Sequence, residues 1–254
     1  MLKLYLSYAK LLNFYKIAGV NIALSKTPMN RFSPTKTKKS NRANIETPIK
    51  KAQQAAGQAQ TLEELKCNLQ KFNECQLKFT AKNTCFSDGT PGSALMLIGE
   101  APGRYEDIQA LPFVGLSGHL LNRMLSAIGL QREQVYIANT IPWRPPGNRI
   151  PTLMEIEVCR PFIHRQIELA CPKILVALGG QAAKFLTGAK EGILRIRGKW
   201  YVYQTTTGLK IPVMPTLHPA YLLRTPSLKK LAWQDFLMVK MWLHHAGELN
   251  KKNT

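Results

Sequence analysis

Five short apolar runs, at residues 94–98, 135–138, 174–178, 200–204 and 211–217, constrain the fold more than any other feature of this chain. Each has the length of a strand. Their near-continuous hydrophobicity is that of strands buried on both faces, not of strands with one face in water. Stretches of helical periodicity separate them. Leu120, Leu121, Met124, Leu125 and Ile128 form one apolar stripe, and Ile156, Cys159, Phe162, Ile163 and Ile167 form another. An earlier helix is predicted to start at Thr61, where Glu64 supplies a capping box and Leu62, Leu65, Leu69 and Phe72 share a face. A last helix over residues 227–243 turns Leu231, Phe236, Val239 and Trp242 inward. Strands alternating with helices predict a mainly parallel central sheet covered on both sides, a three-layer α/β/α sandwich.

Residues 26–60 are poor in large apolar side chains, rich in Ser, Thr, Asn, Lys, Gln and Ala, and punctuated by Pro28, Pro34 and Pro48. That composition predicts a basic low-complexity linker. Before it, Leu4, Leu11, Leu12, Tyr15 and Ala18 recur at helical spacing, and Lys3, Lys10 and Lys16 interrupt the roughly 20-residue apolar span a membrane helix needs. An amphipathic helix over residues 1–25 is expected, in preference to a signal peptide or anchor; attachment to a membrane surface through its lysines is the alternative. The expected organisation is therefore this helix, the linker at 26–60, one domain over 61–246 and a short tail at 247–254. A cytoplasmic, monomeric protein is expected.

The formal charge is +20, and it is unevenly spread. Up to residue 60, eleven Lys and Arg face a single acid, Glu46, so half of the excess precedes the expected domain. Such an excess points to a polyanion, because each phosphate neutralised releases condensed counterions. RNA or an acidic membrane surface fits the charge as well as DNA does, and a merely solvated tail accounts for residues 26–60 equally well. The five cysteines, Cys67, Cys75, Cys85, Cys159 and Cys171, form no C-x-x-C pair and no zinc spacing. They are read as reduced core thiols.

Polar groups stand at the carboxyl ends of the strand-like runs, the edge where open α/β sheets bind ligands. Gly99-Glu100-Ala101-Pro102-Gly103 follows the first run and precedes the acidic pair Glu106-Asp107; His218-Pro219-Ala220-Tyr221-Leu222-Leu223 follows the last. Between them come Leu111-Pro112-Phe113-Val114-Gly115, Asn139 at a strand end, and Arg144-Pro145-Pro146-Gly147-Asn148-Arg149. Taken singly, each has a bland reading: a glycine turn, a core ring, a turn asparagine, a structural histidine. In this order and spacing, from about residue 62 to residue 244, the chain resembles the uracil-DNA glycosylases of the bacterial family-4 type.

The resemblance implies hydrolysis of the N-glycosidic bond of uracil in DNA, releasing the base and leaving an abasic site for base excision repair. It implies Glu100 beside the sugar, as catalytic carboxylate and candidate for orienting water, and His218 as the group facing uracil O2. Ala101 stands where the best-known uracil-DNA glycosylases have an aspartate, which is a family-4 trait and leaves the water-activating group open. Gly99, Glu100, Ala101, Phe113, Asn139 and His218 would bind uracil, Phe113 by stacking and Asn139 by pairing its amide with the base edge. Arg144, Pro145, Pro146, Arg149, Tyr221, Leu222 and Arg224 would contact DNA, some as wedges that help to flip the base and some as phosphate ligands. A related branch traps uracil on a histidine in the segment after Asn139; residues 140–151 contain none, so turnover is expected. Uracil-containing DNA is the expected partner, with no membrane. A non-catalytic binding module of the same fold for damaged DNA or a nucleotide is the alternative, and a basic structural nucleic-acid-binding protein is a second.

Family-4 enzymes typically hold a 4Fe-4S cluster on four cysteines. The corresponding positions here are Phe72, Cys75, Trp143 and Cys159. Phe and Trp supply no thiolate, so no cofactor is expected and Cys75 with Cys159 is read as a remnant. Rescue by Cys67, Cys85 or Cys171 stays open.

Overall fold

Every residue of β2 (Leu95–Gly99), β3 (Tyr136–Asn139) and β4 (Ile174–Leu178) is buried in the computed structural model, which describes residues 41–252. With β6 (Lys210–Thr216) these strands form the parallel centre of a six-stranded sheet ordered β1-β3-β2-β4-β6-β5, flanked by two antiparallel edges, β1 (Asp88–Gly89) and β5 (Tyr201–Gln204). Alternate side chains enter opposite layers, as the pleat requires. Met96, Ile98, Tyr136, Ala138, Leu175 and Ala177 face one core; Leu95, Leu97, Ile137, Ile174, Val176 and Leu178 face the other.

The first core is closed by α1 (Asn41–Gly57), α2 (Leu62–Lys71), α6 (Leu153–Ala170) and α7 (Gly180–Thr187). The second is closed by α5 (Leu116–Ala127) and α10 (Lys229–Lys252). Short helices complete the order: α3 (Leu77–Thr80), α4 (Arg104–Gln109), α8 (Ile193–Ile196) and α9 (Pro219–Arg224). The three-layer sandwich expected from the sequence is the observed architecture. Thr61 caps α2 as expected, its hydroxyl accepting the Glu64 N–H, while the Glu64 carboxylate takes the Gln60 N–H.

Two boundaries need correction. The linker expected over 26–60 is not one throughout, because α1 occupies its second half. Ala52, Ala56 and Ala59 are at most 2 % exposed there, and Arg165 donates twice to the Ala59 carbonyl, at 3.0 and 2.8 Å. Alanine is the best helix former and lets a helix approach its neighbour closely, so a segment without large side chains still packs. At the other end, α10 runs to Lys252, through most of the expected tail. The expected helix at 1–25 and residues 26–40 lie outside the described residues.

No described helix is long and apolar enough to cross a membrane. The chain passes from β2 to β3 on one side and later to β4 on the other, so the connections after β2 and β4 part. A switch point of this kind opens a crevice at the carboxyl rim.

Candidate active site

At that rim lies a cavity of about 410 Å³, inside the roughly 300–1,000 Å³ range of ligand pockets. Glu100, Ala101, Phe113, Asn139, Pro145, Arg149, His218, Tyr221 and Arg224 all line it, drawn from the ends of β2, β3 and β6 and the loops between them. The strand ends are tied to one another. Thr140 donates its N–H to the Gly99 carbonyl at 2.9 Å, and its hydroxyl to the Glu100 carbonyl at 2.8 Å, which Ile141 N–H also meets at 3.0 Å. The spacing of Glu100 from Asn139 is therefore set by two backbone bonds and the Thr140 hydroxyl.

Asn139 is 5 % exposed, and its Oδ1 is the one fully buried side-chain polar atom without a hydrogen-bond partner among the described residues. An unmet buried acceptor costs about 1–3 kcal/mol, and this one lies at the wall of the cavity. Gly99 makes room for it. A Cβ at Gly99 would lie 2.6 Å from the Phe113 ring and closer still to Asn139 Oδ1. Phe113 itself is 5 % exposed, and its ring is a wall of the cavity. It stacks on His218, with centroids 5.5 Å apart and planes at 30°.

His218 caps α9: the Ala220 N–H donates to its Nδ1 at 3.1 Å. Burial, reinforced by the Arg224 guanidinium and opposed by Glu106, pulls its pKa down to about 4. The ring is thus neutral at pH 7, and with Nδ1 accepting, its proton sits on Nε2 as a fixed donor. Gly179, at φ +95°, backs the ring; a Cβ there would come within 2.9 Å of the His218 Cβ. Glu100 is half-buried, and desolvation raises its pKa above the ordinary carboxylate value.

The DNA-facing set divides. Tyr221 and Arg224 stand together at the mouth, the guanidinium 6.0 Å from the ring centroid. Arg149 lines the cavity but is held by Glu155 in two hydrogen bonds, of 2.9 and 2.6 Å. Arg144 braces its own loop by donating to Asn148 Oδ1 at 2.7 Å. Pro145 is buried, whereas Pro146 is exposed. Leu222 corrects the sequence reading: at 1 % exposure it packs with Leu120, Leu217 and Ala232 in the core, and Leu223 holds the outward position. One turn of helix cannot present three consecutive side chains to the same face. Ser117, Asn148 and Ile150 also line the cavity, and Gly179 supports it, without being singled out by sequence. Gly179 directly follows the run 174–178 on the same rim, but a glycine in a strand-to-helix turn is too common to mark a site by itself.

Fold and site together define an α/β protein with a ring-walled cavity at the switch point of its sheet. The chain belongs to the uracil DNA glycosylase superfamily, whose family model matches residues 86–237. It is 41% identical over 177 residues to the type-4 uracil-DNA glycosylase of Saccharolobus solfataricus, covering 68% of this chain and 82% of that one. It is also similar to the type-4 enzymes of Archaeoglobus fulgidus, at 38% over 181 residues, with 70% and 90% of the chains covered, and Thermotoga maritima, at 37% over 182 residues, with 70% and 93% covered.

The four positions that the resemblance assigns to an iron-sulfur cluster do not fit one. Cys75 and Cys159 are buried side by side as interacting thiols. Phe72 packs edge-on against Phe162 with centroids 5.1 Å apart. Trp143 is 1 % exposed and donates its indole N–H to Thr84 Oγ1 at 3.0 Å. Two thiolates are missing from the donor set, and packed rings fill their places.

Proposed function

We propose that this chain is a uracil-DNA glycosylase that hydrolyses the N-glycosidic bond of uracil in DNA, frees the base and leaves an abasic site. The observation that carries this is the partnerless acceptor of Asn139 in a ring-walled cavity. Uracil presents N3–H and O4 side by side, and an amide meets them with one acceptor and one donor. Cytosine offers an unprotonated N3 and an amino group, so the same amide would face it unpaired. Phe113 supplies the stacking face for a base taken out of the duplex.

Cleavage places positive charge on the sugar and negative charge on the departing base. Glu100 stabilises the first and orients the attacking water; its raised pKa reflects a carboxylate kept out of bulk solvent, where its field acts at low dielectric. His218 Nε2–H donates to uracil O2 as negative charge builds there. A neutral donor serves this role because the proton need not leave the ring. Tyr221, Pro146 and Leu223 would press on the base stack, and Arg144, Arg149 and Arg224 would hold phosphates without reading sequence. We read the enzyme as a monomer without an iron-sulfur cluster, working in the cytoplasm.

The test is a uracil-containing oligonucleotide followed by alkali, which cuts at abasic sites. Scission is expected with the wild-type protein, and Glu100→Ala, His218→Ala and Asn139→Ala are each expected to slow base release by about 100-fold or more. Tight binding of the oligonucleotide with no scission would instead identify a binding module.

A further inference from the structure

Phe113 sits in the left-handed region at φ +54°, a conformation a bulky residue rarely adopts. Such strain persists only where the surroundings over-determine it. Here they do so from three sides. Gly118 lies so close beneath that a Cβ on it would overlap the Phe113 carbonyl. Arg132 donates to the Pro112 carbonyl at 2.6 Å and is itself held by Asp88 and Asn122. The third support is Glu106. Its Oε1 accepts the N–H groups of both Val114 and Gly115, at 3.0 and 2.9 Å, the two residues that follow the strained ring.

Glu106 is 7 % exposed, a buried carboxylate whose hydrogen bonds go to backbone. Its other oxygen lies against the Gly103 backbone, 2.8 Å from where a Cβ would stand. It therefore joins the loop bearing Glu100 to the loop bearing Phe113. We propose that Glu106, at the wall of the same cavity, is a positioning residue for base release: it holds Phe113 at the angle at which its ring stacks on an extruded uracil, and its hold on Phe113 is that of an acceptor of two N–H groups.

This inference rests on the uracil-release reading. Two conservative variants separate acceptor from charge. Glu106→Gln keeps a carbonyl oxygen at full reach without the charge; Glu106→Asp keeps the charge but withdraws the oxygens by one methylene. Single-turnover base release is expected to fall no more than about threefold in Glu106→Gln and about 100-fold in Glu106→Asp, the loss that follows a misplacement of about 1 Å. In a Phe113→Ala background the Asp substitution should cost little more, because the ring it positions is gone. Equal losses in Gln and Asp, or losses that add to that of Phe113→Ala, would overturn the proposal.

A second measurement does not depend on catalysis. Hydrogen exchange of the Val114 and Gly115 amides should stay slow in wild type and Glu106→Gln and quicken in Glu106→Asp. Unchanged exchange in the Asp variant would refute the positioning role. If the wild-type protein releases no uracil while exchange behaves as expected, the base-release reading fails and the loop contact stands.

Discussion

Glycines decide how close the reacting groups of this site come. Gly99 lets the Asn139 amide and the Phe113 ring meet over a strand end, and Gly179 lets the His218 ring lie against the backbone after β4. Only the second also needs its backbone angle: φ +95° with ψ 173° is a region that residues with a Cβ avoid. Gly179→Ala should therefore combine strain with a push on the imidazole. A loss of about 1–3 kcal/mol in stability is expected, together with a fall in base release larger than that loss explains, read from a denaturant melt and from single-turnover cleavage at saturating enzyme. An alanine that left both unchanged would show that His218 does not depend on this contact. The polar residues of the site were legible because their order along the chain matches strand ends. Gly179 was not, since most strand-to-helix turns contain a glycine and only the closeness of His218 distinguishes this one.

The four central strands were legible because two-sided burial leaves an uninterrupted apolar run, and their ends fall within a residue of those expected; β5 is instead an edge strand with Val202 in solvent, and the two-residue β1 has no apolar run to announce it. Helices with small contact faces were not. The packing face of α1 is built from alanines, which composition counts as tether, and Leu222 could not be assigned a side until the phase of α9 was fixed. The segments carrying Phe72 and Trp143 show a third kind of reading, in which the residue type was informative but the replacement needed coordinates. Trp143 is fully enclosed and hydrogen-bonded to Thr84, and Phe72 bridges α2 to Phe162 on α6. Packing of this sort can organise the loops without a metal, as proposed. Trp143→Ala is expected to cost about 3–5 kcal/mol, and protein purified without oxygen should carry far fewer than the about four irons per chain of a full cluster. Stoichiometric iron and sulfide would show that the thiols are recruited in some other way.

Over the whole molecule, two histidines in separate places couple stability to pH in the same direction. His218 sits at the cavity on the carboxyl rim of the sheet. His164 lies on α6, stacked on Tyr203, tilted against Phe185, and hydrogen-bonded through Nδ1 to the Tyr203 hydroxyl. That hydroxyl keeps its proton, because burial pushes its pKa well above the usual tyrosine range. Burial, aided by Arg160, pulls the His164 pKa from 6.5 to about 4, the value His218 also reaches. Between pH 6.5 and 4 the unfolded chain therefore binds protons at both rings that the folded chain refuses, and stability must fall as pH falls through that window. The formal charge of +20 works the same way, because protonating carboxylates adds to an already repulsive excess. Melting temperature should accordingly be highest near neutrality and decline steadily from about pH 6.5 to about pH 4. His164→Gln, which cannot titrate, should show a shallower decline while leaving the catalytic rim intact. A melting temperature flat across this range would mean that the two rings stay accessible to protons in the folded protein, and that His218 is not the fixed neutral donor on which the proposed chemistry depends.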